Sequence, residues 1–150
     1  MQSAATDCSS IAVGDDLEPI GSATEASRWL AKANDDLTVA DIVLKAAHGV
    51  NWAACFHAQQ ATEKALKALL VLYGIDFPRS HALERLLALI PADPASIFDG
   101  ESVAELTPWA VAGRYPEDIP NPDAATTRRL IAAAKTVIDN ATALIAQLDV

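Results

Sequence analysis

The first residues whose chemistry stands out are Arg114 and Tyr115, which directly follow a predicted helix and precede Pro116. An arginine at a helix end, followed by a proline-containing loop, presents a permanently charged fork that suits a phosphate group. The same arginine could instead cap the last carbonyl groups of the helix, or pair with Glu117 or Asp118. The residues therefore favour an anion contact and a structural clamp equally.

A second basic group surrounds the start of a short predicted helix. It consists of Arg79, His81 and Arg85. These residues would join Arg114 in one site only if the two loops converge, which the sequence does not decide. Arg79 and His81 are candidate phosphate ligands.

The polar side of the predicted central helix carries Gln59, Gln60, Glu63, Lys64 and Lys67. Glu63 and Lys67 form an i,i+4 pair in the favourable order, which contributes only a few tenths of a kcal/mol. We expect Gln59, Gln60 and Glu63 to form hydrogen bonds across a helix interface, because polar side chains that border an apolar strip commonly do so.

Several other chemistries lack their sequence patterns. The six glycines are scattered, so no glycine-rich phosphate loop is present, and the histidines do not occur at metalloprotease spacing. Cys55 lies among apolar neighbours and is predicted to be a core residue, not a reactive thiol. We therefore predict no metal and no cofactor.

The element that must position these residues is the helix predicted at 51–73. It has an alanine-rich strip, an adjoining bulkier strip and a polar side, so it should be a central helix contacted from at least two directions. The alanine-rich strip is Ala54, Ala58, Ala61, Ala65, Ala68 and Leu72, and the bulkier strip is Trp52, Cys55, Thr62, Leu66, Leu69 and Tyr73.

Other helices are predicted at 24–47, 81–90 and 95–113, the last bent at Pro108. Gly49 and Gly74 are expected to end the first and central helices, and Asn51 and Ser80 to cap the helices that follow. Asn121 and Pro122 indicate the start of the last helix. The predicted fold is all-α: an antiparallel up-and-down bundle of four long helices plus a short one.

Composition fits one helical domain. Of 150 residues, 51% are hydrophobic and only 5% aromatic, which suits close helix packing better than a β core. Residues 1–22 are predicted to be a flexible leader and residues 23–150 the helical domain. The net charge of -9 argues against broad coating of nucleic acid or anionic membrane, but not against a local basic site. We predict a cytoplasmic protein without a structural disulfide or a membrane span.

Three separated blocks carry a family resemblance: FHAQQATEKALKALL, YGIDFPRSHALERLL and WAVAGRYPED, with Asp36–Leu37 in the first helix. Together they resemble the HEPN domain family (higher eukaryotes and prokaryotes nucleotide-binding). The resemblance covers about residues 23–150. It implies a helical bundle, usually a homodimer, whose members are often encoded beside a minimal nucleotidyltransferase in toxin–antitoxin or two-part nucleotide-binding systems.

Many members of that family are metal-independent ribonucleases whose motif is an arginine followed, after four to six residues, by a histidine. This sequence departs from the motif. If Arg114 is the family's arginine, the histidine positions hold Ile119, Pro120 and Asn121. A guanidinium alone could bind phosphate but could not transfer protons near neutral pH.

Two functions remain open. The first is a non-catalytic, dimeric HEPN protein that binds a nucleotide or RNA phosphate through Arg114 and Tyr115, with Lys64, Lys67, Arg79 and His81 contributing, and pairs with a minimal nucleotidyltransferase. The second is a HEPN ribonuclease toxin with an unrecognised active site. A third, plainer alternative is a domain that only dimerises and stabilises its partner.

Overall fold

The computed structural model describes residues 21–111 and 120–148, and all regular structure in these ranges is helical. The helices, numbered in chain order, are α1 (Ala23–Ala46), α2 (Asn51–Leu72), α3 (Leu83–Leu89), α4 (Ala92–Ala95), α5 (Gly100–Ala104), a 3₁₀ helix (Thr107–Val111) and α6 (Ala124–Leu148). The predicted all-α class is therefore confirmed. Arg114, Tyr115 and residues 1–20 of the predicted leader lie outside the described ranges.

Helix α2 is the central element, as predicted. Every residue from Asn51 to Leu72 is buried or half-buried, and α2 contacts α1, α3, α6 and the 3₁₀ helix. Its most extensive contact is with α1, whose fully buried residues Ala26, Ala33 and Ala40 recur every seven positions. Small side chains on both helices let the backbones approach closely, and this explains why the alanine-rich strip of α2 is buried along its whole length.

Helices α2 and α6 begin at the same end of the bundle. The Asn51 side-chain amide donates to the carbonyl of Pro122 (3.0 Å), and the Asn121 amide oxygen accepts from the Trp52 backbone N–H (3.0 Å). The two helices therefore run parallel, while α1 runs antiparallel to α2. The predicted caps were wrong in detail: Asn51 forms no cap of its own helix, and Asn121 caps α2 across the interface. Asp123 caps α6 through the Thr126 N–H (2.7 Å).

The prediction of a long helix at 95–113 was wrong, so the described bundle has three long helices instead of four. The segment forms only α4, α5 and the 3₁₀ helix. Asp99 accepts a hydrogen bond from the Glu101 N–H (3.2 Å) and starts a new helix at Gly100. Pro108 lies inside the 3₁₀ helix, where its missing N–H prevents a regular α-helical ladder. These short helices carry the chain back along the bundle.

The end of α2 follows the predicted glycine cap. Gly74 has a φ of 67°, and the Ile75 N–H donates to the Leu70 carbonyl (2.8 Å) while Ile75 packs against the core. This is the hydrogen bond of a Schellman motif with its hydrophobic contact. The predicted glycine cap of α1 was wrong: the left-handed C-cap residue is Ala47 (φ 56°), whose N–H donates to the Leu44 carbonyl (3.2 Å), and Gly49 (φ 78°) lies beyond it. Helix α1 therefore ends one residue earlier than predicted.

The start of α3 differs from the predicted helix at 81–90. Ser80 accepts a hydrogen bond from the Ala82 N–H (3.1 Å), and Thr107 accepts one from the Leu83 N–H (3.0 Å). Helix α3 consequently begins at Leu83, with Ala82 as its N-cap residue, and Ser80 does not cap it. His81 therefore belongs to the loop from Gly74 to Ala82, and it contacts α2.

Gly21 and Ser22 are part of the packed unit. The Gly21 N–H donates to the Leu72 carbonyl (2.9 Å), and the Ser22 hydroxyl accepts from the Glu25 N–H (3.0 Å) as the N-cap of α1. The start of α1 is thus tied to the end of α2. No helix within 21–111 or 120–148 is both long and apolar enough to cross a membrane.

Candidate phosphate-binding site

Glu63 is a buried carboxylate on α2 that holds three neighbouring side chains. Its Oε1 accepts from the Gln59 side chain (3.1 Å) and lies 2.9 Å from His81 Nδ1. Its Oε2 accepts from Lys67 Nζ (2.9 Å). Gln59 also donates to the His81 carbonyl (3.1 Å), so the loop is attached to α2 at two points. Gln59 and Glu63 thus form hydrogen bonds to another element, as predicted, but that element is a loop and not a helix, and Gln60 donates to its neighbour Gln59 on the same helix (2.7 Å).

The electrostatics of Glu63 favour its ionised form. Burial acts to raise the pKa of this carboxyl, but the hydrogen bonds from His81, Lys67 and Gln59 together outweigh burial and leave the pKa below its ordinary value. A charged, desolvated carboxylate with these partners interacts far more strongly than an exposed i,i+4 pair. The few tenths of a kcal/mol expected from the sequence for Glu63 and Lys67 applies to an exposed pair; here Glu63 is buried, so removal of either partner would leave a desolvated charge unpaired.

Asp36 on α1 forms a second group of the same kind. Its Oδ1 lies 2.9 Å from His57 Nδ1, and its Oδ2 accepts from Lys64 Nζ. The Asp36 side chain is 13% exposed. Sequence analysis noted Asp36 only as part of a family block and assigned it no partner. The sequence did contain one indication of this contact. Two consecutive long helices that pack antiparallel bring residues such as Asp36 and His57, 21 positions apart, close together.

An aromatic pair lies beside Lys67. The rings of Trp29 and Phe77 meet edge to face with centroids 6.1 Å apart. Lys67 Nζ lies over both rings, 5.7 Å from the Trp29 centroid and 5.4 Å from that of Phe77. Cation–π attraction and the Glu63 carboxylate thus hold the ammonium group in place. Sequence analysis did not connect these aromatic residues with the site.

The structure brings together some of the predicted ligands. Lys64 and Lys67 are both half-buried residues of α2. Lys67 and His81 both contact the Glu63 carboxylate. Arg79 is exposed in the same loop as His81, and the described residues hold no carboxylate within 4.0 Å of its guanidinium.

That Lys64, Lys67 and His81 belong to the same site as Arg114 and Tyr115 stays a prediction, because Arg114 and Tyr115 lie outside the described residues. Asn121, which follows it, contacts Trp52 at the start of α2. At 1.5 Å per residue, Trp52 lies about 22 Å from Lys67 along the helix axis.

The arrangement suits an anion better than a metal cation. The carboxylates of Asp36 and Glu63 already accept hydrogen bonds from nitrogen donors. An ammonium group has three N–H donors, and the described residues supply one carboxylate partner each to Lys64 and Lys67. No group of three or more histidine, cysteine, aspartate or glutamate side chains within the described ranges could hold a metal ion.

Cys55 is a core residue, as predicted. Its side chain is fully buried, and burial raises the pKa of its thiol despite a contact with Thr127. A raised thiol pKa disfavours the nucleophilic thiolate. The residue therefore contributes packing to the α2–α6 interface and takes no part in the candidate site.

The lowered pKa of Glu63 predicts an acid-sensitive contribution to stability. Because the folded pKa lies below the unfolded value of about 4.3, this contribution is complete above pH 4.3 and is lost as the pH falls through the folded pKa. We expect the difference in free energy of unfolding between the wild type and Glu63→Gln to be constant from pH 5.5 to 7 and to shrink below pH 4. Urea titrations at each pH measure it. A difference that grows on acidification would contradict the assignment.

Comparison with known proteins agrees with this architecture. The HEPN domain family matches residues 26–144, which is most of the chain. This protein therefore belongs to the HEPN domain family, as the three sequence blocks predicted. A crystal structure described as that of ST0689, an archaeal HEPN homologue, superimposes with a TM-score of 0.64, at 27% identity over 80% of this chain and 97% of that one.

One relative is similar at the sequence level over a shorter stretch. It is described as putative toxin MJ1304 of Methanocaldococcus jannaschii, and it is 43% identical over 54 residues. The match covers 36% of this chain and 34% of that protein, so the chain spans about a third of its relative's length.

Proposed function

We propose that this protein is the HEPN component of a toxin–antitoxin-type or two-part nucleotide-binding system, and that it binds the phosphate groups of a nucleotide or RNA without cleaving them. In this proposal it acts in the cytoplasm as a homodimer and pairs with a minimal nucleotidyltransferase. Its membership of the HEPN family and its similarity to a protein described as a putative toxin support the general class.

The observation that carries phosphate binding is the geometry of Lys64, Lys67 and His81. The buried Glu63 holds Lys67 and His81, the half-buried Asp36 holds Lys64, and the side chains of Lys64 and His81 remain 28% and 53% exposed. Donors that are fixed before the ligand arrives lose little conformational entropy on binding. Because the carboxylates of Asp36 and Glu63 balance the charges of Lys64 and Lys67, we expect the exposed Arg79 to contribute to affinity.

Removing two cations from this face should weaken RNA binding. We expect the double variant Lys64→Gln, Arg79→Gln to lower the affinity for a labelled single-stranded RNA about tenfold and to reduce the slope of log K against log salt by about one to two. Fluorescence anisotropy at several salt concentrations measures both quantities.

The matched control is Lys135→Gln, Arg128→Gln on α6, which removes one lysine and one arginine and leaves the same net charge. Both control residues are exposed, and Lys135 pairs with Asp139. The control should change the affinity less than twofold. An equal loss in the two double variants would show that net charge alone controls binding and would contradict this site.

One observation favours a second candidate, a ribonuclease with an unfamiliar active site. His57 and His81 each direct Nδ1 at a carboxylate, that of Asp36 or Glu63; because a carboxylate accepts, Nδ1 carries the proton and Nε2 has the lone pair that a general base needs. The same RNA samples, incubated with EDTA and run on a denaturing gel, separate the candidates. Cleavage that is lost in His57→Ala or His81→Ala supports the ribonuclease; intact RNA supports binding alone.

The proposed homodimer needs an exposed apolar surface, and the central helix does not provide it. Apart from the half-buried Trp52, both apolar strips of α2 are buried within one chain. The exposed apolar residues of α1 include Val39 (38% exposed) and Ile42 (60% exposed). A homodimer formed through this part of α1 would remove Val39 and Ile42 from water.

Sedimentation equilibrium tests the dimer. The wild type should be a dimer at micromolar concentration, and Ile42→Glu should be a monomer because dimerisation would bury the new charge. Ile97→Glu is the matched control, since Ile97 is 48% exposed near α4, and it should stay dimeric. A monomeric wild type would rule out the homodimer.

A further inference from the structure

A shallow depression of about 300 Å³ lies where α1 passes the middle of α2. Its lining residues are Glu25, Arg28, Trp29 and Lys32 of α1 and Lys64 of α2. Its walls are almost entirely apolar, although four of the five residues carry charged head groups. The depression therefore combines an aromatic and aliphatic surface with a charged rim.

The rim is mainly cationic in an acidic protein. Arg28 and Lys32 are exposed, and neither has a carboxylate within 4.0 Å among the described residues. Lys64 is paired with Asp36 and forms part of the candidate phosphate site. Glu25 is the one acidic residue in the lining. Counted with Asp36, the partner of Lys64, the depression has three cations and two carboxylates, which in a chain of net charge -9 is a local reversal of sign that attracts an anion.

The indole of Trp29 is held in place from the protein side. It is half-buried, contacts the Phe77 ring edge to face, and lies beneath Lys67 Nζ, which Glu63 anchors. A fixed aromatic surface loses little conformational freedom when a planar ligand stacks on it. Trp29 thus lines the depression and also contacts Lys67, the partner of Glu63.

We propose that this depression is a nucleobase-stacking subsite, in which an unpaired base lies against Trp29 while Arg28, Lys32 and Lys64 contact the adjoining phosphates. Aromatic side chains flanked by cations are how proteins bind single-stranded nucleic acid with little sequence preference. The inference rests on the proposed phosphate-binding function, and it adds where the base of the ligand lies: against Trp29, in a subsite that inorganic phosphate would not fill.

Tryptophan fluorescence tests the subsite directly. In the full-length variant Trp52→Phe, Trp109→Phe, Trp29 is the remaining tryptophan, because the chain has three. We expect a ten-nucleotide oligouridylate to quench Trp29 emission saturably, whereas inorganic tripolyphosphate should leave the emission unchanged. If ATP quenches the emission as strongly as the oligomer does, the ligand is a free nucleotide. If the oligomer quenches the emission and ATP does not, the ligand is RNA.

Two binding variants accompany the fluorescence measurement. Trp29→Leu should lower the affinity for the oligomer about tenfold, since an aromatic platform is lost, and Trp52→Leu, the control, should change it less than twofold. Lys32→Ala leaves the indole and its packing in place and should lower the affinity about threefold.

The possible failures are distinguishable. If anisotropy detects no binding of the labelled oligomer to the wild type and calorimetry detects none of tripolyphosphate, the proposed function fails and the subsite with it. If the oligomer binds but Trp29 emission does not change, or Trp29→Leu and Lys32→Ala bind as the wild type does, the phosphate site stands and the stacking subsite is overturned.

Discussion

Glu63→Gln should lower the free energy of unfolding by about 3 kcal/mol, which corresponds to a fall in Tm of roughly 6–12 °C for a domain of this size. The amide cannot satisfy the three partners of Glu63, because either orientation places its NH₂ group against a donor: Lys67 Nζ at one oxygen position, or the Gln59 side-chain amide at the other. Lys67 would then keep its charge in a setting where its side chain is only 14% exposed. The nearby rings of Trp29 and Phe77 still attract the ammonium, so we expect the lower end of the range for a broken buried pair.

The same substitution at Glu105 is the control. Glu105 pairs with Arg129, but the two side chains are 48% and 56% exposed. Solvent screens such a pair, so Glu105→Gln should change stability by less than about 1 kcal/mol. Thermal and urea unfolding of both variants at pH 7 measure the difference. Equal effects at the two positions would show that Glu63 is not the buried centre of the site.

Gly21→Ala should lower stability by about 2 kcal/mol. A Cβ at position 21 would lie 1.5 Å from the Val71 carbonyl oxygen and 2.7 Å from its carbon, and both are backbone atoms at the end of α2. The chain would have to move away, breaking the hydrogen bond from the Gly21 N–H to the Leu72 carbonyl and displacing the Ser22 cap of α1.

Gly100→Ala is the matched control for that prediction. A Cβ at position 100 meets nothing within 4 Å, and Gly100 is the first residue of α5. Its replacement should change stability by no more than about 0.5 kcal/mol. Hydrogen exchange should show faster opening at the start of α1 in Gly21→Ala only. A Gly21→Ala variant as stable as the wild type would contradict the close packing of Gly21 on α2.

The parts of the fold that sequence analysis predicted correctly are governed by local chemistry. Spacing alone identifies the apolar strips of α2, and Gly74 with Ile75 forms the expected helix end, because both depend on residues within one or two turns of each other. The short helices between Ile90 and Val111 were missed, because apolar periodicity continues across Asp99 and Gly100 while the backbone starts a new helix there.

The candidate site was only partly predictable for a related reason. Glu63 and Lys67 are four residues apart on one helix, so their pairing could be predicted, but the contribution of His81 depends on the path of the following loop. The contacts of Asp36 with His57 and Lys64 depend on the register between α1 and α2. The cap that Asn121 supplies to Trp52 joins residues 69 positions apart, and no local pattern specifies that contact.

The central claim is that the face containing Lys64, Lys67 and His81 binds RNA phosphates and leaves them intact. The most direct measurement is one sample of wild-type protein with 5′-labelled single-stranded RNA in EDTA, analysed first by native gel and then by denaturing gel. We predict a shifted band that the Lys64→Gln, Arg79→Gln variant weakens, and full-length RNA after denaturation. RNA that is unshifted at low salt, or that is recovered as shorter fragments, would contradict the claim.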